Sequence, residues 1–343
     1  MNQIYIEGCG AVSPAGWGVA ALRQAFLQNE TIATKELARP GWDQPLRIRA
    51  VPPPQPRPAF LAHARLRLTS PIAQYAVAAA LEALGSDAEP ITAGKIRLGI
   101  VLCVMSGCVN YSRRFYDETL HDPATASPLV FPETVFNAPA SHIAALLGTT
   151  AINYTLVGDP GTFLQGVALA ADWLSAARVD ACLVIGAEEH DWLTADAFRL
   201  FFRRIILSEG AGALYLKVAA AGSPAIQLRA VTDSHLFCQN QSRAQAAQRM
   251  RSELPALSEN DLLCDGLQDL PRLDRAEAEA WRDCRGPRLS PKTTLGEGLM
   301  AAAAWQCVVA IDALKESHYH AASVSVVGCN QQAIGAHFGR VEG

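Results

Sequence analysis

The sequence has no C-x-x-C pair, and its nine cysteines are an odd number scattered from position 9 to position 329. This spacing argues against a disulfide framework and against a zinc site. Long apolar runs are also absent, since the longest late stretch, AAAAWQCVVAIDAL, is interrupted by Gln306 and Asp312 and is too short to span a bilayer. The first ten residues contain no basic segment followed by an apolar run, as a signal peptide would.

The net charge is small, −4, and the pI is about 6.1. A protein with this net charge is not a basic nucleic-acid binder. We therefore expect a cytoplasmic protein with no nucleic-acid partner, no membrane span, no metal and no cofactor. Half of its 343 residues are hydrophobic, which is enough for a sizeable buried core.

Apolar strand-like runs alternate with helical patterns along the chain. The first series includes IYIEG (4–8), a helix over 70–85 and LGIVLCV (98–104); the second ends with a long Ala-rich helix over 293–317 and ASVSVVGC (322–329) as the final strand. This order predicts an α/β fold with helices on a mostly parallel sheet. We place the boundary between two similar halves, 1–221 and 222–343, at the AAGSPA segment.

Two glycine-containing turns need separate interpretation. GCGAVS (8–13) follows a strand like a dinucleotide loop, but its third glycine is missing and no helix follows at once, so nucleotide binding is disfavoured. The second turn, 158–161, lies between a strand and a helix, where many α/β enzymes present a nucleophile. It reads Gly-Asp-Pro-Gly and carries neither Ser nor Cys.

Motifs along nearly the whole chain resemble those of the β-ketoacyl synthases, the condensing enzymes of the thiolase superfamily. The segment NYTLVGDPGTFLQGVALAADWLSAARVDACLVIGAEE is similar to their nucleophile region, and LSEGAGALYL, PKTTLGEGLMAAAAWQ and VVGCNQQAIG are similar to later motifs in the same order. The resemblance implies a thiolase-like fold of two similar α/β halves in five layers, α-β-α-β-α.

The resemblance also implies that the catalytic residues have been lost. Pro160 stands where the family has its nucleophilic Cys, and proline also lacks the backbone N–H that contributes to the oxyanion hole. Asp265 and Glu297 stand at the positions of the two catalytic histidines, while the motif lysine, Lys292, is retained. In the gating loop, which reads Gly328, Cys329, Asn330, Gln331, Cys329 replaces the family's phenylalanine.

An inactive homologue of this kind implies a chain length factor, which pairs with an active ketosynthase and shapes its acyl tunnel in polyketide or fatty-acid-like biosynthesis. The short chain and the CNQQ loop most resemble the factor-like subunit of aryl polyene systems. The residues expected at the tunnel end and the dimer interface are Ser106, Val109, Tyr111, Phe131, Phe136 and Phe163.

A second partner implied by the resemblance is acyl carrier protein, which is typically acidic, so Arg65 and Arg67 are candidate docking residues. The alternative is a stand-alone thiolase-fold enzyme or acyl-binding protein with a rewired, hydrolase-like site. In that case Asp159, Asp265, Glu297 and Cys329 would converge and supply the chemistry.

Overall fold

The computed structural model describes residues 3–28, 31–219, 224–237, 241–316, 319–329 and 331–341. Its strands are β1 Ile4–Ser13, β2 Gly16–Trp17, β3 Lys35–Leu37, β4 Leu46–Arg49, β5 Leu98–Val104, β6 Asn153–Val157, β7 Ala181–Glu188, β8 Leu207–Ser208, β9 Gly210–Lys217, β10 Ala225–Val231, β11 His235–Leu236, β12 Leu262–Cys264, β13 Arg288–Leu289, β14 Ala321–Val327 and β15 Gln332–Val341. Its helices are α1 Val19–Gln28, α2 Pro71–Leu84, α3 Ala88–Thr92, α4 Val109–His121, α5 Ala138–Leu147, α6 Thr162–Ser175, α7 Trp192–Phe201, α8 Arg243–Glu253, α9 Pro271–Ala280, α10 Pro291–Leu295 and α11 Met300–Lys315.

The main sheet consists of two five-stranded units with the same topology. One unit has the order β6-β5-β7-β9-β1 and the other β13-β12-β14-β15-β10. In each unit the last strand along the chain, β9 or β15, runs antiparallel to both of its neighbours. The units meet where β1 pairs with β10 through Ile4 and Leu228. The boundary predicted at 221/222 falls in residues 220–223, outside the described residues, and it stays a prediction.

Helices separate the two units and cover their outer faces. α6 and α11 pack between the units, α2 and α5 cover the first unit, and α8 and α9 cover the second. α11 is buried on nearly every side, as expected for a helix that is apolar all round. The predicted thiolase-like α-β-α-β-α arrangement is therefore confirmed.

Two element predictions near the C-terminus were wrong. The helix predicted over 293–317 is divided into α10 and α11, because Gly296 (φ 89°) and Leu299 (φ 51°) adopt left-handed conformations between them. β14 is not the last strand, since β15 follows it and pairs with it over its whole length. Gly335 and Gly339 weaken the strand pattern of β15 in the sequence.

The glycines of GCGAVS serve packing. A Cβ atom at Gly8 would lie 1.9 Å from the Ala83 carbonyl oxygen, and one at Gly10 would lie 2.1 Å from that of Ala79. These two positions therefore let α2 approach β1 closely. Within the described ranges, no helix has both the length and the apolarity needed to cross a membrane.

Candidate functional site

The turn between β6 and α6, residues 158–161, has the strand–turn–helix geometry of a nucleophile elbow but carries no nucleophile. We call this turn the elbow. The Gly158 amide donates to the Val104 carbonyl at 3.2 Å, and the Thr162 amide donates to the Asp159 carbonyl at 2.7 Å. Between them Pro160 is buried. Its side chain cannot attack an acyl group, and its nitrogen has no hydrogen to donate to an oxyanion.

The Asp159 side chain joins this elbow to the predicted gating loop. Its carboxylate accepts hydrogen bonds from the amides of Gly161, at 3.2 Å, and Gln331, at 3.0 Å. A Cβ atom at Gly328 would lie 1.6 Å from Asp159 Oδ1, so the loop backbone packs directly against the carboxylate. Asn330 lies outside the described residues.

Lys292 and Glu297, both buried, form an ion pair in which Nζ lies 2.7 Å from Oε2. The Glu297 carboxylate also accepts from the Leu299 amide at 2.8 Å and from Gln268 Nε2 at 3.2 Å. Burial acts to lower the pKa of Lys292, but the Glu297 carboxylate opposes this and holds that pKa above its usual value. Glu297, which is predicted to stand at the position of the family's second histidine, thus neutralises the charge of Lys292.

Asp265, which is predicted to stand at the other histidine position, has a buried carboxylate with its own partners. Ser290 Oγ donates to Asp265 Oδ1 at 2.6 Å, and Arg288 Nε lies 3.4 Å from Oδ2. Burial raises the pKa of Asp265 despite these contacts. The two acids predicted at the histidine positions are therefore both fixed by hydrogen bonds or ion pairs.

Sequence reasoning missed Glu277, a third buried acid in this region. Its Oε1 atom accepts from the Gly266 amide at 3.1 Å and from the Ser325 hydroxyl. Burial, followed by repulsion from Asp265, raises the pKa of Glu277 to about 7. The signal that could have revealed it is its position on the apolar face of α9, between Leu273 and Ala280.

Cys329, in the predicted gating loop, is buried close to Glu297, Lys292 and Asp159. Burial raises the pKa of its thiol, and the nearby Glu297 and Asp159 carboxylates raise it further while Lys292 acts in the opposite direction. A thiol in these surroundings stays protonated and is a poor nucleophile. The Cys329 thiol therefore lies close enough to Glu297 and to Asp159 to feel the charge of each.

Comparisons with known proteins agree on the fold. A β-ketoacyl synthase from Burkholderia phymatum STM815 is 17% identical, covers 100% of both chains and superposes with a TM-score of 0.82. A chain of the complex between the ketosynthase ApeO and its chain length factor ApeC, from Xenorhabdus doucetiae, is 14% identical over 99% of this chain and 98% of that chain, with a TM-score of 0.78. The chain has the ketosynthase fold.

Sequence comparison alone gives weaker evidence. No family model matches. A curated Schizosaccharomyces pombe protein described as a mitochondrial 3-oxoacyl-[acyl-carrier-protein] synthase is 24% identical over 199 residues, which are 55% of this chain. The chain spans about half the length of that relative, 46%.

A third solved structure has the same fold. It is the complex of a type II polyketide acyl-carrier protein with its ketosynthase, AntDE with AntF, and its matching chain is 16% identical over 99% of both chains, with a TM-score of 0.79.

In this fold, the six residues predicted at the tunnel end and the dimer interface lie in three different environments. Phe163 is fully buried and would lie 2.9 Å from a Cβ atom at Gly186, so it packs within the core. Phe131 and Phe136 are 55% and 45% exposed. Ser106, Val109 and Tyr111 are half-buried at the start of α4. The tunnel and interface roles of all six residues stay predictions.

The candidate carrier-protein residues lie elsewhere. Arg65 and Arg67 are both exposed in a short helical turn that precedes α2. Their side chains are available to an acidic surface, and their docking role also stays a prediction.

Proposed function

We propose that this chain is a non-catalytic, chain-length-factor-like subunit that pairs with an active β-ketoacyl-ACP synthase and shapes the end of its acyl tunnel. The observation that carries the proposal is Pro160, a buried proline at the N-terminus of α6 in a ketosynthase fold. It removes the nucleophile and one oxyanion donor in a single position, and such a donor is worth about 3–4 kcal/mol of transition-state stabilisation.

The rest of the inactive site supports the same function. A condensing enzyme uses neutral histidines to stabilise developing negative charge, whereas this site holds Asp265 and Glu297. Carboxylates at these positions repel an enolate and, in the case of Glu297, neutralise Lys292 at 2.7 Å. Each acid is instead held by its own partners, Asp265 by Ser290 and Glu297 by Lys292.

An exposed apolar surface supports pairing with another subunit. β6 is the edge strand of the first unit, and two of its side chains, Tyr154 and Val157, are 49% and 54% exposed. Elsewhere on the first unit, α4 has no fully buried residue. The exposed apolar side chains of α4 and the segment after it are Tyr116, Leu120, Leu129, Phe131, Val135 and Phe136. A free edge and an apolar surface of this kind favour association.

A cavity lies beside this edge, where a partner's tunnel would end. Its volume is about 540 Å³, and Val157, Gln165 and Gln331 are among the residues that line it. In the proposed complex, a subunit docked on β6 would cover the part of this cavity that Val157 lines. The bulk of the lining residues would then limit how far an acyl chain extends.

Two finer assignments belong to the same proposal. The partner complex would receive its substrates on acyl carrier protein, with Arg65 and Arg67 attracting the acidic carrier. The biosynthetic system would be of the aryl polyene type. The carrier-protein assignment is supported by the similarity in fold to a ketosynthase solved in complex with its acyl-carrier protein. The aryl polyene assignment is supported by the short chain and the CNQQ loop.

The test is co-expression with the active ketosynthase from the same gene neighbourhood. We expect a stable 1:1 complex by light scattering, and condensation that requires the partner's cysteine. A chain that purifies alone and turns over acyl thioesters would contradict the proposal. The rewired-enzyme alternative receives less support, because the Cys329 thiol is held protonated and Asp159 is engaged by two backbone amides.

A further inference from the structure

A separate cluster of positive charge lies at the small sheet formed by β3, β4 and β8. A cavity of about 190 Å³ opens there between β4 and the C-terminal end of α7. Three arginines line it, Arg47 from β4, Arg199 from the last turn of α7, and Arg203 just beyond it. Its apolar floor includes the buried residues Leu46, Ala195, Ile205 and Leu207.

Within the part of the chain that the structure describes, no carboxylate balances the charges of these three arginines. None of the described lining residues is acidic. A neighbouring arginine, Arg39, is paired with Asp196 at 2.7 Å, but within the described residues Arg47, Arg199 and Arg203 take part in no ion pair. Glu36 stands opposite Arg47 in the β3–β4 register and forms no ion pair with it. Three like charges around one cavity repel one another, and an anion between them relieves that repulsion.

The chemistry of guanidinium selects the class of anion. Each group presents a planar set of N–H donors that matches the oxygens of a phosphoryl group and can bind two of them together. Three positive charges favour a dianion over a monoanionic carboxylate. The cavity volume suits one or two phosphoryl groups and is below the 300–1,000 Å³ or so of pockets that enclose larger ligands.

We propose that Arg47, Arg199 and Arg203 form a binding pocket for a phosphoryl group. The group would be free inorganic phosphate or pyrophosphate, or the phosphomonoester end of a small molecule. The pocket adjoins the inactive site, because Ile206 lines it and the Ile206 carbonyl accepts a hydrogen bond from the Glu297 amide at 2.8 Å. The proposal does not depend on a partner subunit and can fail or succeed independently of the proposed function.

The test is titration of the full-length chain with pyrophosphate, inorganic phosphate and glycerol 3-phosphate by isothermal calorimetry. We expect binding that weakens with added salt, and we expect Arg199→Gln/Arg203→Gln to weaken it at least about tenfold. Arg285→Gln is the matched control, since Arg285 is exposed, lies outside the pocket and has no ion pair within the described residues. Binding of glycerol 3-phosphate would indicate a small-molecule phosphomonoester, and binding of the inorganic anions alone would indicate free phosphate.

Three results would overturn the proposal. They are the absence of binding at millimolar anion, acetate binding as tight as phosphate binding, and equal loss of affinity in the Arg285→Gln control. All three arginines are exposed, so glutamine at these positions is expected to leave the melting temperature unchanged. If the double variant fails to fold, Arg47→Gln alone provides the same comparison from a different element.

Discussion

The Lys292 ammonium lies 2.7 Å from the Glu297 carboxylate, in a region where both side chains are buried. Each group compensates the charge of the other in a position from which water is excluded. Removal of either partner leaves an unpaired buried charge, and this cost exceeds the net contribution of the intact pair. The pair therefore fixes the segment that separates α10 from α11.

We predict that Glu297→Gln lowers the free energy of unfolding by about 3–5 kcal/mol, because it leaves the Lys292 ammonium without a counter-charge. Denaturant unfolding of the isolated chain measures the loss. Glu279→Gln is the matched control, since the Glu279–Arg282 pair is 60% and 75% exposed and its loss should change stability little. Equal effects of the two substitutions would show that the buried pair has no special role.

Much of the fold could be predicted from the sequence, because alternating apolar runs indicate strands and helices through local pattern and spacing. Motif order assigns Pro160, Asp265 and Glu297 to the family's catalytic positions, and that assignment stays a prediction. The division of the helix at Gly296 could not be predicted, since LGEGL sits in an otherwise strongly helical segment and its left-handed residues are set by tertiary contacts. Glu277 was missed for a similar reason, because its partner Ser325 is 48 positions away.

Restoring the nucleophile alone is not expected to restore condensation. Pro160→Cys would return a thiol and a backbone N–H, yet Asp265 and Glu297 would still repel the enolate formed by decarboxylation. We predict no condensation product above background when this variant is combined with a partner whose own cysteine is replaced. Mass spectrometry of carrier-bound products measures this, and product formation comparable to that of the normal complex would contradict it.

Stability is predicted to fall as the pH rises from about 6 to about 8. Burial raises the pKa of Glu188 to about 8 and the pKa values of Glu189 and Glu277 to about 7, from an ordinary value of 4.5. Between 4.5 and these values the folded chain holds protons that the unfolded chain has released, so the free energy of unfolding decreases with increasing pH.

Two buried histidines act in the opposite direction. Burial lowers the pKa values of His190 and His337 to about 4, so the unfolded chain binds more protons than the folded chain below about 6.5. Melting temperatures across the pH range measure the sum. Glu277→Gln keeps the acceptor for Gly266 and is expected to flatten the decline and to stabilise the chain at pH 8 by about 1–3 kcal/mol. An unchanged slope in this variant would contradict the assignment.

Assembly with a ketosynthase is predicted to depend on the edge strand β6. Val157→Asp places a charge on a residue that is 54% exposed, so the isolated chain should fold normally while the docked interface would have to bury that charge. Size-exclusion chromatography of the co-expressed pair should show loss of the complex. Leu27→Asp is the control, because Leu27 is 74% exposed on α1, away from β6.

Product length and chain stability should respond differently to two phenylalanine substitutions. Phe163 is fully buried in the core between the sheet units, so Phe163→Ala should cost about 3–5 kcal/mol of stability.

Phe136 is 45% exposed and packs over Gly107, where a Cβ atom would lie 2.3 Å from Phe136 Cδ1. Phe136→Ala should therefore change stability little and lengthen the products of the assembled complex by removing bulk at the tunnel end. Product mass distributions and melting curves test both variants, and unchanged products from Phe136→Ala would remove this residue from the tunnel.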